Sequence, residues 1–292
     1  MTLVVARRTE RSVRLFADLR VTDRNAIESG YVVGMLKPVV LGPDLCVAFA
    51  GRVGPAIVAL RSLASTGVNG RELDEVRQLL LDAHRQSDGD TEFLVAPSVT
   101  APGGLDRIAA DGIETDLPAT WIGDRNAFDL YQRVYHADRF DIPLPDELAD
   151  QREEFELQSK MGRAMDAVVR DDSITTVGEI VVPAASTVKE PGFSYLESVG
   201  MWVGQDQEIG PEWTPIRMGG AAEGGFGYSV LVPEEPGVGA IGIHFFQGRL
   251  GLYYDPLRSD RPEEFTDVGH DEFRQAVWER HRVAIKGSKI GG

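Results

Sequence analysis

Three residues near the start of the chain carry the chemistry that its sequence offers: Thr2, Asp18 and Lys37. A threonine hydroxyl is a weak nucleophile that needs an adjacent base to take its proton. If Met1 is removed, Thr2 carries that hydroxyl and a free α-amine on one residue, and an α-amine with a pKa of about 7.7–8.0 is a base at neutral pH. A lysine ammonium nearby lowers the amine's pKa and keeps it unprotonated, and an aspartate holds the lysine charged and oriented. Each residue alone has a plain structural role: threonine suits a strand, aspartate a turn, lysine the surface. Their order and spacing together are what point to nucleophilic chemistry.

The elements around them must bring residues 2, 18 and 37 together. "TLVVARR" and "SVRLFADLRVT" are β-rich runs parted by a polar turn, which predicts an N-terminal hairpin. "PVVLG" and "LCVAFAG" repeat the pattern. The period then changes: Ala56, Ile57, Leu60 and Leu63, and after them Leu73, Val76, Leu80 and Ala83, fall at helical spacing. "TEFLVAPSV", "LDRIAADGIE" and "ATWIG" return to strands, with Asp111-Gly112 as a hairpin turn. Asp124 is placed to cap a helix reaching about Ala137, and Leu148 to Val169 reads as a long amphipathic helix followed by the strand "GEIVVP". Strands, two helices, strands, two helices and a strand are not an alternating βαβ series. The pattern predicts an α+β protein in which two sheets stack between two pairs of helices, a four-layer αββα sandwich.

Composition narrows the function classes. The chain has 292 residues, 42% of them hydrophobic, and a formal net charge of −16. That charge repels phosphate backbones, so a nucleic-acid partner is not expected. Cys46 is the only cysteine and sits in an apolar run, which fits a packing role and a reducing compartment. No apolar stretch approaches the length of about eighteen residues that spans a membrane, and the first residues lack a signal-peptide core. A cytoplasmic protein with no membrane partner is expected. The five histidines are scattered, and neither a metal nor another cofactor is expected. Gly237-Val-Gly239-Ala-Ile-Gly242 matches the dinucleotide glycine pattern in letters only, because it opens a hairpin and not a helix.

The segment from Thr2 to Leu63 resembles the proteasome β-type subunits and related bacterial threonine-protease rings, which are N-terminal nucleophile hydrolases. The residues carrying the resemblance are Thr2, Ala17-Asp18-Leu19-Arg20-Val21-Thr22, Lys37 and Ala50-Gly51. "FLVAPSV", "LDRIAADG", "WIGD" and "VVRDDSITTVGEIVV" extend it more loosely to about residue 183. The resemblance implies Thr2 as nucleophile, Asp18 and Lys37 as its electrostatic support, and the Gly51 N–H as donor to the oxyanion. It places Val21, Met35, Phe49 and Val53 around the first specificity pocket, with Thr22 among the substrate-binding residues. These pocket positions are apolar, so an apolar P1 side chain is expected. Asp124 stands where the family has a serine. The family's Arg-Asp-x-x-Ser aligns as Arg170-Asp171 with Ile174, or, with one residue inserted, as Asp172 with Thr175, and the second alignment is favoured.

The implied activity is peptide-bond hydrolysis on peptides or unfolded proteins, in a homo-oligomeric ring that an ATPase partner could feed. Two other readings stand beside it: a non-catalytic assembly or binding subunit, and an amidase acting on a small molecule. Residues 2–183 are expected to form the hydrolase domain and residues 184–292 a β-rich C-terminal extension packed on it. The aromatic side chains of the extension read as core.

Overall fold

The computed structural model describes residues 2–20, 34–67, 72–137, 146–178, 180–202 and 226–288. Alternation along the first strand sets the architecture. In β1 (Leu3–Arg8), Leu3 and Val5 join one apolar cluster while Val4 and Ala6 join another, as the period of two requires when both faces are covered. A turn returns the chain as β2 (Ser12–Asp18), in antiparallel register from Val4↔Ala17 to Arg8↔Val13. The hairpin expected from the sequence is therefore present.

β3 (Pro38–Gly42) and β4 (Leu45–Gly51) form the second expected hairpin, and α1 (Val53–Ser65) and α2 (Leu73–Gln86) follow it. Next come β5 (Thr91–Pro97), β6 (Leu105–Ala109), β7 (Gly112–Leu117) and β8 (Ala119–Gly123). α3 (Arg125–Ala137) begins directly after Asp124, whose Oδ1 accepts the Asn126 N–H at 2.8 Å and the Ala127 N–H at 3.1 Å. That is the expected cap. α4 is shorter than its pattern suggests: it spans Arg152–Val169 and is preceded by a 3-10 turn at Asp146–Gln151. Glu153 and Glu154 lie in its first turn, where acidic side chains complement the helix dipole.

β9 (Val181–Thr187) runs past Pro183, where the sequence pattern ends it, and pairs with β2 from Ser12↔Thr187 to Asp18↔Val181. The Pro183 carbonyl accepts the Leu196 N–H at 3.0 Å, so this residue's hydrogen-bonding side faces away from β2. The missing proline donor therefore costs the ladder nothing.

The remaining elements are β10 (Ser194–Tyr195), β11 (Ser198–Trp202), β12 (Phe226–Pro233), β13 (Ile241–Phe245), β14 (Leu250–Tyr254), β15 (Glu263–Thr266), α5 (His270–His281) and β16 (Ile285–Lys286). The protein is thus a mixed α+β fold with, among the described residues, five α-helices and three antiparallel sheets. The first sheet has the order β10-β9-β2-β1-β8, the second β3-β4-β5-β6-β7 and the third β11-β12-β13-β14-β15. One cluster unites Val39, Val47, Phe49, Phe93 and Val95 of the second sheet with Ile57, Leu60, Val76 and Leu80 of α1 and α2. Another unites Leu3, Val5 and Phe16 with Tyr131, Met161, Met165 and Val168 of α3 and α4. The largest joins the opposite faces of both sheets, through Val4, Leu15, Ala48 and Leu94, to Val230, Ile243 and Leu252 of the third. The other face of the third sheet packs on Phe273 and Val277 of α5. No helix among the described residues is long and apolar enough to cross a membrane.

Candidate functional site

The site forms where the ends of β1, β2 and β8 meet the segment leading into β3. The β1–β2 register sets Asp18 across from Leu3, and the Leu3 N–H donates to Asp18 Oδ1 at 3.1 Å. The Thr2 hydroxyl donates to the same oxygen. Asp18 Oδ2 accepts the Arg20 N–H at 2.8 Å, the Gly178 N–H at 3.0 Å and Lys37 Nζ at 3.2 Å. Lys37 also donates to the Asp18 carbonyl at 3.0 Å and to the Arg20 carbonyl. An ammonium has three protons to give, and these three oxygens take them.

Thr2, Asp18 and Lys37 are all buried, at 1%, 0% and 3% exposure. Burying an ion pair is costly unless hydrogen bonds satisfy both partners, as they do here. Burial lowers the Lys37 pKa from the ordinary lysine value, against the opposing pull of the Asp18 carboxylate.

Backbone geometry fixes the threonine from the other side. The Asp124 N–H donates to the Thr2 carbonyl at 2.7 Å. Gly123, with φ +105°, lies so close that a Cβ on it would stand 2.0 Å from that carbonyl oxygen. Only glycine fits there. The Gly123 N–H in turn donates to Glu92 Oε2 at 2.8 Å, which ties the first sheet to β5 of the second beside the threonine. Gly51 ends β4 in the left-handed region, at φ +94°, and a Cβ on it would meet the Asp90 carbonyl at 1.8 Å. Gly51 itself is exposed.

The other residues singled out from the sequence divide. Met35 and Phe49 belong to one buried cluster with Val53 packed against it, and Phe49 is fully enclosed. Val21 and Thr22 lie outside the described residues. Asp124 meets Thr2 through its backbone, while its carboxylate faces elsewhere: Oδ1 caps α3, and Oδ2 accepts the Thr176 hydroxyl at 2.6 Å. Burial pushes the Asp124 pKa up, but the bonds from Thr176, Ala127 and Asn126 outweigh it and hold the carboxyl below the usual aspartate value. Asp172 and Thr175 are exposed. From their loop, the hydroxyl that reaches inward is that of Thr176, one residue beyond the favoured alignment. A loop has no periodicity to fix which of two adjacent threonines turns inward, so the sequence held no signal for this choice.

Three further participants were not singled out from the sequence: the Gly178 N–H, the Arg20 carbonyl and Glu92. The first two act through the main chain, and Glu92 reads as an ordinary polar residue of an alternating strand. Among the described residues, no group of three His, Cys, Asp or Glu side chains is placed to hold a metal ion. No family model matches the chain, and no curated protein matches it.

Chemically, the arrangement holds one hydroxyl against a carboxylate whose charge is balanced by a buried ammonium. That orients the Thr2 hydroxyl and fixes a cation near it without leaving either charge unpaired.

Proposed function

We propose that the protein is a threonine-type peptidase in which Thr2, freed of Met1, is the nucleophile. The observation carrying this reading is the buried chain from the Thr2 hydroxyl to Asp18 to Lys37, in which every polar group is satisfied. In the proposed reaction the α-amine takes the hydroxyl proton as Oγ1 attacks the peptide carbonyl carbon. The oxyanion of the tetrahedral intermediate accepts the Gly51 N–H. Collapse breaks the C–N bond, and the proton passes from the α-ammonium to the leaving amine. Water then cleaves the ester on Thr2 by the same route and regenerates the hydroxyl. The Lys37 charge favours the unprotonated amine at the start of each cycle.

The fold that accompanies this reading is the four-layer αββα sandwich of N-terminal nucleophile hydrolases: α1 and α2, the second sheet, the first sheet, then α3 and α4. The three apolar clusters supply the interfaces such a stack requires. The substrates are peptides or unfolded proteins with an apolar P1 side chain set against the region of Met35, Phe49 and Val53. The active form is a homo-oligomeric ring in the cytoplasm, open to an ATPase partner.

A second reading has its own observation. Thr2 is 1% exposed and Phe49 is fully enclosed, which suits a subunit that serves assembly or binding instead of hydrolysis.

The first experiment is the intact mass of the native protein together with its N-terminal residue, followed by hydrolysis of fluorogenic peptides with an apolar P1. A chain beginning at Thr2, active as wild type and silent as Thr2→Ala, supports the peptidase. The expected loss is about 10⁴-fold or more, in line with removal of other hydrolase nucleophiles. Retention of Met1, or equal hydrolysis by Thr2→Ala, would leave the assembly reading.

A further inference from the structure

Three of the chain's five histidines, scattered in the sequence, meet where α5 docks on the third sheet. His270 opens the helix, His281 closes it, and His244 lies on β13 against the first turn. The two ends of the helix treat a proton in opposite ways.

At the first end both rings are buried, His244 at 2% exposure and His270 at 8%. Their centroids stand 5.7 Å apart, and the Phe246 and Phe273 rings lie 5.3 Å and 6.0 Å from His244. His244 Nε2 is 3.0 Å from the Val268 carbonyl. A carbonyl only accepts, so Nε2 carries the proton of the neutral ring. A second proton has to sit on Nδ1, which is buried and has no hydrogen-bond partner among the described residues. Ser229, directly opposite on β12, makes no bond to it, and Gly251, opposite on β14, has no side chain to offer.

The charged groups around His244 oppose that second proton or are engaged elsewhere. Arg249, from the β13–β14 turn, adds positive charge, and α5 adds His270 and the positive end of its dipole. Asp271 Oδ1 stands 3.5 Å from His270 Nδ1. Asp267 Oδ1 accepts from Arg249 Nε at 2.7 Å, and Glu272 Oε2 accepts the Gly269 N–H at 2.6 Å. Burial above all, then the charges of His270 and Arg249, outweigh the Val268 bond and hold the His244 pKa below the usual histidine value.

At the last turn, His281 Nε2 lies 2.8 Å from Glu263 Oε2, and its ring stacks on Tyr253 with centroids 4.2 Å apart. A proton taken up there meets a carboxylate and the negative end of the helix.

We propose that α5 is an acid-operated flap: proton uptake by His244 lifts the first turns of the helix off the third sheet, while His281 and Glu263 hold its last turn in place. The face so opened is the apolar one of Leu231, Phe265 and Phe273. The sign follows from the two states of the ring. A released imidazole titrates near 6.5 and the docked one lower, so docking is complete above about 6.5 and weakens as pH falls toward the docked value. The flap is independent of the Thr2 chemistry.

The test is amide hydrogen exchange of the full chain, each rate corrected for exchange of a free amide at the same pH. Moving from about pH 7.5 to about pH 5.5 should cut protection at residues 273–277 about tenfold, the effect of one proton on a released imidazole titrating at about 6.5. Arg282, whose N–H donates to the Trp278 carbonyl at 3.0 Å, should keep its protection, as should Phe128 of α3, whose N–H donates to the Asp124 carbonyl at 3.0 Å. His244→Gln keeps a donor for Val268 and takes up no proton, so its α5 protection should be the same at both pH values. If that variant fails to fold, His244→Phe, which keeps a ring against Phe246 and Phe273, carries the test. The proposal is overturned by unchanged α5 protection in the wild type, by a fall shared equally with Arg282 or Phe128, or by an undiminished fall in the His244 variant.

Discussion

The polar knot around Thr2 and the third sheet beneath α5 are both sealed from water, and they use burial differently. Around Thr2, Asp18 accepts hydrogen bonds at both oxygens and Lys37 gives its protons to three, so two charges sit inside the protein with no unmet bond. Beneath α5 the packing is by volume. A Cβ on Gly251 would stand 2.3 Å from a Phe273 ring carbon, and one on Gly242 would stand 2.9 Å from another. There, polar atoms such as Ser229 Oγ and Tyr253 OH have no partner among the described residues. A region that needs only to be solid is served by aromatics on glycines. A buried ion pair contributes little net stability compared with apolar packing of similar size, so a complete one beside a threonine has its best explanation in what it does to that threonine.

The largest expected effects separate the two regions. Lys37→Met strands the Asp18 charge in the interior, and Phe273→Ala empties the volume under α5. Each should cost about 3–5 kcal/mol in chemical denaturation. On the proposed peptidase reading, only Lys37→Met should abolish peptide hydrolysis per folded molecule; equal losses in both would erase the distinction. The next effect is overpacking. Gly251→Ala should destabilise by about 1–3 kcal/mol as the Phe273 ring is forced aside, again with hydrolysis kept, and a neutral result would show that the ring has freedom to move.

The smallest effect lies at the border of the site. Asp124→Ala removes the α3 cap and the Thr176 bond, for a loss of about 1 kcal/mol near neutral pH. Its pH dependence has a defined sign. The folded carboxyl titrates below 3.8, so its stabilisation is complete above that value and disappears as pH falls through the lower folded one. Urea midpoints of wild type and Asp124→Ala should therefore converge in acid, and a gap that stays constant below pH 3.8 would assign the loss to something other than the charge.

Much of this arrangement was legible in the residues. The alternation of "LVVARR" and "LCVAFAG" gives strands covered on both faces, and helical spacing marks α1 and α2. Asp124 ahead of an apolar period announces the start of α3. Where the reading slipped, a non-local bond was responsible. β9 continues through Pro183 because β2 supplies a partner along the whole strand, and Thr176 turns inward because Asp124, 52 residues away, accepts its hydroxyl.

By itself, the sequence determined which segments become strands and helices and which of their faces are apolar, and it singled out Thr2, Asp18 and Lys37, which the fold brings together. These are local properties, set by side-chain period and type. Tertiary structure alone decided that the carboxylate of Asp18 meets the Gly178 N–H, 160 residues along the chain, that Glu92 fastens β5 to Gly123, and that Arg7 faces Arg14 across the β1–β2 pair. Strand register and sheet stacking make those meetings, and both depend on pairings between segments that no local window contains.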